Sequence, residues 1–492
     1  MRLCLKLLVI FTLPLIQVVH STSAYNRQSK VEPVNFAPHE WTDSKGQKVQ
    51  AETGKMRVLE NRSKPDSKLI ELTVIRLKSK SANPGAPVLY LAGGPGGAAI
   101  GEAQFDFMKS MLERLQENHD IILMDQRGTG RSLPLVAWLS PTPLAVEAFA
   151  SEEKMLEGYR EWSAKAIESF KGRGIDLTGY NTVESADDLN DLRQAVGAEK
   201  ISLIGFSYGT HYSLATIRRH AAHLDSVILI GTEGPDHTLK LPSTYDAQIR
   251  KLSDLAAADP NVGSKVPDMV ALLKRVLNKL EKEPVKIQIT SQRTRQMIEV
   301  PVGKFGLQML IRMDIGDGND FPEFPLLFYT IDKGDYSVLK KYVEKRYNQF
   351  SRGISGMSTM TDLFSGATAD RLARIRKEAT TAILGNVMNF PDMYIGDVWG
   401  NPDLGDQFRS PLLASTRTLF ISGTMDSNTP PYQAEELRWG FANSTHIIVE
   451  YAGHEDLLPN IQVQNAIVDF LSGRDVSHVR VSLGKPRFKP IP

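Results

Sequence analysis

The feature that most constrains this chain is a glycine-flanked serine turn, Gly205–Gly209 (GFSYG), between two regular elements. The apolar run Ile201–Ile204 before it predicts a buried strand, and the pattern of Tyr208–Ala222 after it predicts a helix. A serine exposed on such a sharp turn needs strained backbone angles, and side chains two positions away would collide with the strand and the helix. The turn therefore predicts that Ser207 is presented at the carboxyl end of a strand.

Short apolar runs alternate with helical patterns before and after this turn. The predicted strands are Leu69–Leu77, Val88–Leu91, Ile121–Met124, Ile201–Ile204, Val227–Ile230, Thr418–Ile421 and Ile447–Val449. The predicted helices are Phe105–Leu115, Ser185–Val196 with a capping box that starts at Ser185, Tyr208–Ala222 and Ile461–Leu471. Strands and helices that alternate at this spacing predict an α/β fold with a mostly parallel central sheet and helices on both faces.

The alternation stops between residues 233 and 410, where the pattern becomes mainly helical. Helices are predicted there at Ala247–Ala258, Val266–Leu280, Tyr336–Tyr347 and Asp370–Ala382, with one β-like stretch at Val285–Val302. An insertion between two halves of one sheet is the simplest account of this order. The predicted organisation is a first core segment at 25–232, which begins with a polar surface arm at 25–65, a helical cap at 233–410 and a second core segment at 411–492.

The first 24 residues have the pattern of a secretory signal peptide. Arg2 and Lys6 give a positively charged start, and Leu7–Val19 is an uncharged apolar run. Ser21–Ala24 then offers small residues for cleavage. The apolar run has about 13 residues, fewer than the roughly 20 that span a hydrocarbon core. We expect cleavage near Ala24 and a secreted or periplasmic protein without stable membrane insertion, with a retained membrane anchor as the alternative.

Charge and cysteine content exclude several classes of function. The 58 Lys and Arg residues balance 57 Asp and Glu residues, so the chain lacks the basic excess that binds nucleic acid. Its one cysteine lies within the predicted signal peptide, which excludes an internal disulfide and a cysteine-based metal cluster in the remaining chain. We expect neither a metal nor a cofactor.

A serine hydroxyl becomes a strong nucleophile when a nearby base takes its proton and an acid orients that base. Asp426 and His454 each follow a predicted buried strand, so both fall at the same sheet edge as Ser207. The chain order Ser, Asp, His is the order found in α/β-hydrolases. Glu455 and Asp456 are alternative acids, but their position next to the base is poor geometry for reaching its far ring nitrogen.

The glycine run Gly93–Gly97 (GGPGG) follows a predicted strand and has two interpretations. As an oxyanion loop, it would supply the backbone N–H of Gly94, with a second donor from Tyr208. As a dinucleotide fingerprint, it would cradle a pyrophosphate. Pro95 disfavours the second interpretation because it removes an N–H from the turn, and no strand ending in an acid follows at the usual distance of about 20 residues.

Four motifs in this order carry a resemblance to a known family: Leu91–Gly97, Asp125–Ser132, Tyr180–Thr182 and Gly205–Thr210. They resemble the prolyl iminopeptidase and tripeptidyl aminopeptidase group of serine α/β-hydrolases, and the closing residues 486–490 are similar to the tails of its secreted members. The resemblance implies an α/β-hydrolase fold with a helical cap, and the release of residues from peptide N-termini without a metal.

The resemblance also implies roles for individual residues. Ser207 would be the nucleophile, Asp426 the orienting acid and His454 the base. Gly94 and Tyr208 would supply the oxyanion N–H groups.

Two further residues qualify this assignment. Arg127 in the family bridges structural elements near the active site, which implies support for the fold. Ala92 stands where the iminopeptidases usually have a histidine, and this departure favours the broader exopeptidase branch over a strict proline specialist.

An aminopeptidase must also bind a free ammonium group, which calls for a carboxylate beneath the cap. Glu233 is the first candidate because it follows a predicted strand and would point towards Ser207. Asp314, Asp317 and Asp320 are weaker candidates, since such an acidic cluster is more typical of a solvated loop.

The sequence thus predicts a secreted serine exopeptidase that acts on peptides. A carboxylesterase with the same catalytic residues, which needs no ammonium-binding carboxylate, is the alternative. A catalytically inactive member used for binding is a third possibility, although all three catalytic candidates are present.

Overall fold

The structure, a computed structural model, describes residues 31–42 and 45–492. The predicted signal peptide at 1–24 therefore lies outside the described residues. Within the described part of the chain, no helix combines the length and the apolar character needed to cross a membrane.

A ten-stranded sheet forms the centre of the fold. In chain order, the strands of the described residues are β1 (Ala37–Thr42), β2 (Lys48–Leu59), β3 (Leu69–Leu77), β4 (Gly85–Leu91), β5 (His119–Met124), β6 (Ala137–Leu139), β7 (Ile201–Phe206), β8 (Leu224–Ile230), β9 (Val285–Thr290), β10 (Met297–Val302), β11 (Gly353–Ser355), β12 (Arg417–Gly423), β13 (Ser444–Glu450) and β14 (Val481–Ser482). The order across the sheet is β1-β2-β3-β5-β4-β7-β8-β12-β13-β14. Strands β1 to β3 and their junction with β5 are antiparallel, and every pair from β5 to β14 is parallel.

Helices cover the sheet and build the cap. In chain order they are α1 (Ala99–Glu102), α2 (Asp106–Leu115), α3 (Glu152–Gly172), α4 (Thr182–Ala195), α5 (Tyr208–His220), α6 (Pro242–Ala257), α7 (Met269–Lys282), α8 (Lys304–Asp314), α9 (Phe324–Asp332), α10 (Ser337–Phe350), α11 (Gly356–Ser365), α12 (Ala369–Ala379), α13 (Asp392–Ile395), α14 (Asp406–Arg409), α15 (Pro431–Arg438) and α16 (Ile461–Leu471). The predicted α/β class with a mostly parallel sheet is confirmed.

The central strands are apolar on both faces because helices pack on both sides. Ile204 of β7 and Ile228 of β8 join one buried cluster with the apolar faces of α2 and α16. Successive side chains of a strand point to opposite faces, so Leu203 and Leu229 face the other side, where α5 packs against both strands. The parallel strands thus bring the turns after β7, β8, β12 and β13 to one sheet edge.

Two local predictions were wrong. Residues 37–42 and 48–59, predicted as part of a polar surface arm, form strands β1 and β2, and β2 is hydrogen-bonded along β3. Helix α4 begins earlier than predicted, because the side chain of Asn181 accepts the N–H of Glu184 and caps it; Ser185 therefore lies inside the helix.

The segment between β5 and α4 packs with elements of the predicted cap. Strand β6 pairs with β11 of the cap, and Trp162 and Phe170 of α3 lie in the same buried cluster as Leu273 of α7 and Leu310 of α8. The division at residue 233 assigned α3 to the first core segment, although its apolar face packs with the cap helices. The β-like stretch in the insertion is an antiparallel hairpin of β9 and β10.

Candidate active site

Ser207 lies on a strained turn between β7 and α5. Its backbone angles are φ 53° and ψ −122°, a conformation that side chains other than glycine rarely adopt. A Cβ at Gly205 would lie 2.4 Å from the carbonyl oxygen of Gly209, and a Cβ at Gly209 would lie 2.1 Å from the carbonyl oxygen of Leu91. The elbow can therefore form only with glycine at both flanking positions.

Asp426 and His454 form a direct pair on the loops after β12 and β13. Asp426 Oδ2 lies 2.8 Å from His454 Nδ1 and accepts the hydroxyl of Thr429 at 2.6 Å. Its Oδ1 accepts the N–H groups of Asn428 and Thr429, both at 2.8 Å. Because four contacts hold the carboxylate, it fixes the imidazole ring in one orientation and leaves Nε2 as the free ring nitrogen.

The pair shifts the pKa of each partner in the direction expected for an ion pair. Burial alone would raise the pKa of Asp426, but the charge of His454 and the hydrogen bonds to His454 and Thr429 outweigh it and lower that pKa. Burial alone would lower the pKa of His454, but the charge and hydrogen bond of Asp426, with a smaller contribution from Glu455, raise it. The carboxylate therefore stabilises an imidazolium at this position.

The imidazole ring of His454 lies beside the serine elbow. Its centroid is 5.0 Å from that of Phe206, the residue before the serine, and a Cβ at Gly231 would lie 3.0 Å from His454 Cε1. Gly231 follows β8, the strand next to β7, and its φ of 62° also favours glycine. The cap contributes to the same loop, since the N–H of His454 donates to the carbonyl of Gly316 at 2.7 Å.

The predicted oxyanion loop passes directly over Ser207. A Cβ at Gly93 would lie 3.1 Å from the Cβ of Ser207, and the φ of 116° at Gly94 requires glycine. Tyr208 is the first residue of α5, so its N–H has no acceptor within the helix. The glycine loop and the N–H of Tyr208 therefore lie next to the serine.

The alternative acid and the other histidine near the elbow have different contacts. Asp456 Oδ2 accepts the N–H of Gly453 at 2.7 Å, which closes the turn before His454. His211 on α5 is buried, and its two ring nitrogens lie 3.1 Å from Gly234 O and from Ser365 Oγ. Both residues are held in structural contacts.

Arg127 bridges several elements beneath this edge. Its guanidinium is fully buried, forms two 2.7 Å contacts with Asp188 of α4 and donates to the carbonyls of Glu60 and Gly179, both at 2.6 Å. One side chain thus ties α4 to the end of β2 and to the turn before α4. Asp125 acts similarly on the oxyanion side, because it accepts the N–H of Ile100 in α1 at 2.9 Å.

Glu233 lies near the elbow, but its charge is already compensated. The carboxylate is buried and forms an ion pair with Lys240 Nζ, and its backbone N–H donates to Thr210 Oγ1 at 2.7 Å. Burial raises its pKa, but the charges of Lys240 and His211 outweigh this and lower it. A substrate ammonium would have to displace Lys240, so the contacts do not favour Glu233 as its receptor.

The acidic cluster of the cap is also compensated. Asp314 is buried and pairs with Arg346, and Lys345 Nζ lies 2.8 Å from both Asp314 and Asp320. These ion pairs hold the end of α8 and the turn after it to α10. Asp317 lies close enough to the loop of His454 that its charge, after burial, contributes to the raised pKa of Asp456.

Helix α11 of the cap, which the sequence analysis missed, lies over the site. Ser358 Oγ donates to the carbonyl of Pro95 in the oxyanion loop, and Ser365 Oγ lies 3.1 Å from His211 Nε2 on α5. Asp362 lies between them at helical spacings of four and three residues, on the same face of α11. That face spans from the oxyanion loop to the elbow helix, and Asp362 therefore faces the space above the serine.

The directions in which the pKa values of Tyr208 and Asp362 are shifted agree with this position of Asp362. Burial chiefly raises the pKa of the Tyr208 hydroxyl, and the charge of Asp362 contributes, so the carboxylate lies within electrostatic range of Tyr208. Burial and the charges of Asp392 and Glu233 raise the pKa of Asp362 well above its usual value.

Asp392 of α13 is the second carboxylate of this group. Burial raises its pKa, and the charge of Arg312 only partly opposes the shift. No lysine or arginine in the described part of the chain forms an ion pair with Asp362 or Asp392, and both keep part of their surface accessible. The polar spacing of Ser358, Asp362 and Ser365 was the one sequence signal that could have identified this face.

The described residues contain no group of three or more His, Cys, Asp or Glu side chains arranged to hold a metal ion. The acidic residues of the site lie on different elements: Asp426 on the loop after β12, and Asp362 and Asp392 on two cap helices. The arrangement offers a nucleophile, a base with its orienting acid, two backbone donors and a carboxylate face above them.

Two family models match the chain. The model described as alpha/beta hydrolase fold matches residues 86–291, and the model described as TAP-like protein matches residues 397–478. The first range contains the oxyanion loop and the elbow, and the second contains Asp426 and His454. Together the two ranges cover more than half of the chain.

Curated relatives and a solved structure match the chain at low identity. Serine protease Hip1 of Mycobacterium tuberculosis is 28% identical over 225 residues, which cover 43% of this chain and 42% of the relative. Tripeptidyl aminopeptidase of Streptomyces coelicolor is 26% identical over 193 residues, which cover 36% and 32%. A thermophilic esterase from Thermogutta terrifontis has a TM-score of 0.38 at 15% identity, over 85% of this chain and 98% of that chain. The match spans less than half the length of each curated relative.

Proposed function

Since this chain is an α/β-hydrolase similar to the tripeptidyl aminopeptidases, we propose that it is a serine exopeptidase that releases N-terminal residues or short N-terminal units from peptides. The similarity to a serine protease and to a tripeptidyl aminopeptidase supports a peptide substrate. The signal-like pattern of residues 1–24 supports export, and N-terminal sequencing of the mature protein tests that part of the proposal.

In the proposed reaction, His454 Nε2 takes the proton of the Ser207 hydroxyl as its oxygen attacks the scissile carbonyl carbon. The negative charge that develops on the carbonyl oxygen is stabilised by the N–H groups of Gly94 and Tyr208. His454 then gives its proton to the leaving amine, and the acyl group remains on the serine. Water, deprotonated by the same imidazole, attacks this ester and frees both the product and the serine. Asp426 stabilises the imidazolium throughout.

One observation carries the exopeptidase assignment: the carboxylate of Asp362 faces the serine from the cap without an ion-pair partner among the described residues. Burial raises the pKa values of both Asp362 and Asp392, and the charge of Asp392 raises that of Asp362 further, so the two carboxylates form a site that gains from a cation. The ammonium group of a peptide N-terminus is such a cation, and its position beneath the cap sets the distance to the bond that is cut. We therefore assign to Asp362, with Asp392, the role first given to Glu233.

The test compares three substrates: an aminoacyl arylamide with a free amine, its N-acetylated form and a simple p-nitrophenyl ester. We expect the free-amine arylamide to have the highest kcat/KM. Asp362→Asn should raise its KM about tenfold to a hundredfold, because the ammonium group loses its charged partner, and should change the ester far less.

Asp370→Asn is the matched control, since Asp370 is an exposed carboxylate on the next cap helix, α12. It should leave all three substrates unchanged. If wild-type protein cleaves only the ester, the carboxylesterase assignment replaces this one; if Glu233→Gln alone removes the free-amine preference, the receptor is Glu233 and not Asp362.

A further inference from the structure

A cavity of about 400 Å³ lies along the oxyanion loop, and its lining residues include none from α11, the helix that carries Asp362. One wall is the glycine loop itself, with Gly94, and another is Phe206, the residue before the serine. The remaining walls come from α1, from the start of α2 and from the loop after β13. The cavity therefore adjoins the reacting atoms without being part of the ammonium site.

Two carboxylates line this cavity. Glu102 is half-buried, and its Oε2 accepts the hydroxyl of Tyr90 at 2.7 Å; Glu455 is exposed at the rim. Burial raises the pKa of Glu102, and the nearby charge of Glu455 raises it further. No lysine or arginine of the described residues forms an ion pair with either, so the cavity carries negative charge that a cation would relieve.

An aromatic wall stands beside these carboxylates. The rings of Phe105 and Phe107 are stacked, with centroids 5.8 Å apart, and Phe105 is 52% exposed. An apolar stem can lie along such a surface while its charged end reaches the carboxylates, and an aromatic face also attracts cations. Lysine and arginine side chains have this combination of a long apolar stem and a charged end.

The position of the cavity identifies which part of a peptide enters it. Glu455 directly follows His454, the residue proposed to protonate the leaving amine, and the leaving amine belongs to the residue after the scissile bond. The N-terminal part of the substrate is proposed to lie beneath Asp362 on α11, a helix that does not line this cavity. The cavity is therefore on the path of the residues that follow the cut.

We infer that this cavity is a specificity site that binds a lysine or arginine side chain of the residue following the scissile bond. The inference rests on the proposed exopeptidase function, because it needs a peptide whose leaving group carries a side chain. It assigns Glu102 and Glu455 to substrate selection and the two phenylalanine rings to the stem of that side chain.

The experiment uses three peptides that share one N-terminal segment and carry lysine, norleucine or glutamate directly after the bond that is cut. The measured quantity is kcat/KM, which includes departure of the leaving group. Norleucine matches the lysine stem without its charge. We expect lysine to exceed norleucine about fivefold and glutamate to be slowest, as for a partly exposed charge pair.

The double variant Glu102→Gln/Glu455→Gln should bring the lysine-to-norleucine ratio close to one. Glu117→Gln is the charge-matched control, because Glu117 is an exposed carboxylate just before β5, at the opposite sheet edge, and should leave the ratio unchanged. The loss of Glu455 can also change His454, but such a change affects the lysine and norleucine peptides alike. It therefore cancels in the ratio of their kcat/KM values.

The experiment distinguishes failure of the specificity site from failure of the proposed exopeptidase function. Equal cleavage of all three peptides by the wild-type protein, or an unchanged ratio in the double variant, overturns this inference and leaves the exopeptidase function intact. If none of the three peptides is cleaved while a simple ester is, both fall together.

Discussion

The sheet edge and the cap face meet above Ser207, and they differ in whether their acidic side chains have ion-pair partners. At and beneath the sheet edge, three buried acids have basic partners: Asp426 with His454, Glu233 with Lys240 and Asp188 with Arg127. On the cap face, Asp362 and Asp392 have no such ion pair among the described residues. A charge that is already paired holds structure, whereas an unpaired charge near the surface of a cavity can hold a ligand.

This difference in ion pairing indicates a separate role for each surface. The edge keeps its geometry whether or not a substrate is bound, because these three ion pairs form within the protein. The cap face gains most when a cation enters. On this comparison, substitutions at the edge should change the reaction rate or the fold, and substitutions on the cap face should change which substrates are used.

The largest effect should follow from Ser207→Ala. Removal of the hydroxyl abolishes the nucleophile, and we expect kcat to fall by about 10⁶-fold. The thermal midpoint should stay within about 1 °C, because alanine keeps the Cβ and removes only one exposed oxygen. A fluorophosphonate probe should label the wild-type protein and not the variant; labelling of another serine would contradict the assignment.

Asp426→Asn should lower kcat by about 10⁴-fold, because an amide does not stabilise the imidazolium and favours the wrong tautomer of His454. Asp456→Asn is the matched control on the neighbouring loop, where an amide oxygen can still accept the N–H of Gly453. We expect less than about a threefold change there. A large loss in Asp456→Asn with little loss in Asp426→Asn would transfer the acid role.

Arg127→Ala should destabilise the fold more than it changes the chemistry. The substitution leaves the buried carboxylate of Asp188 with only Arg62, at 2.7 Å, and removes the donors to two backbone carbonyls. We expect the free energy of unfolding to fall by about 3–5 kcal/mol, measured by denaturant titration. Lys165→Ala, which breaks an exposed pair with Glu161, is the control and should cost less than about 0.5 kcal/mol.

The serine, its acid and its base could be predicted from the sequence because local rules fix their positions. Ser207 is marked by the glycines that its strained backbone requires, and Asp426 and His454 each follow a short buried strand. The carboxyl ends of parallel strands meet at one edge, so residues far apart in the chain come together without any knowledge of the cap.

The cap could not be predicted in the same way. Asp362 faces the site because one side of α11 packs on Pro95 and on His211, and such a packing choice leaves only a weak pattern in the sequence. The ion pair of Glu233 with Lys240 could not be predicted either, since the approach of a lysine seven residues later in a loop has no sequence signal. The place of α3 in the cap likewise depends on long-range packing that periodicity does not report.

The smallest effect is a pH shift that reports the edge alone. Because Asp426 raises the pKa of His454 above 6.5, kcat/KM for an ester without an amine should fall as pH drops through a midpoint above 6.5. Glu455→Gln should move that midpoint down slightly, since the charge of Glu455 contributes to the shift, and Glu117→Gln should not move it. The interaction between Asp426 and His454 should add stability that is fully present below pH 6.5 and is lost as pH rises through the folded pKa of His454.

For free-amine substrates, KM should rise further as pH falls, because protonation of Asp362 and Asp392 removes the charge that binds the ammonium group. An identical pH profile for both substrate classes would mean that the cap face makes no separate contribution.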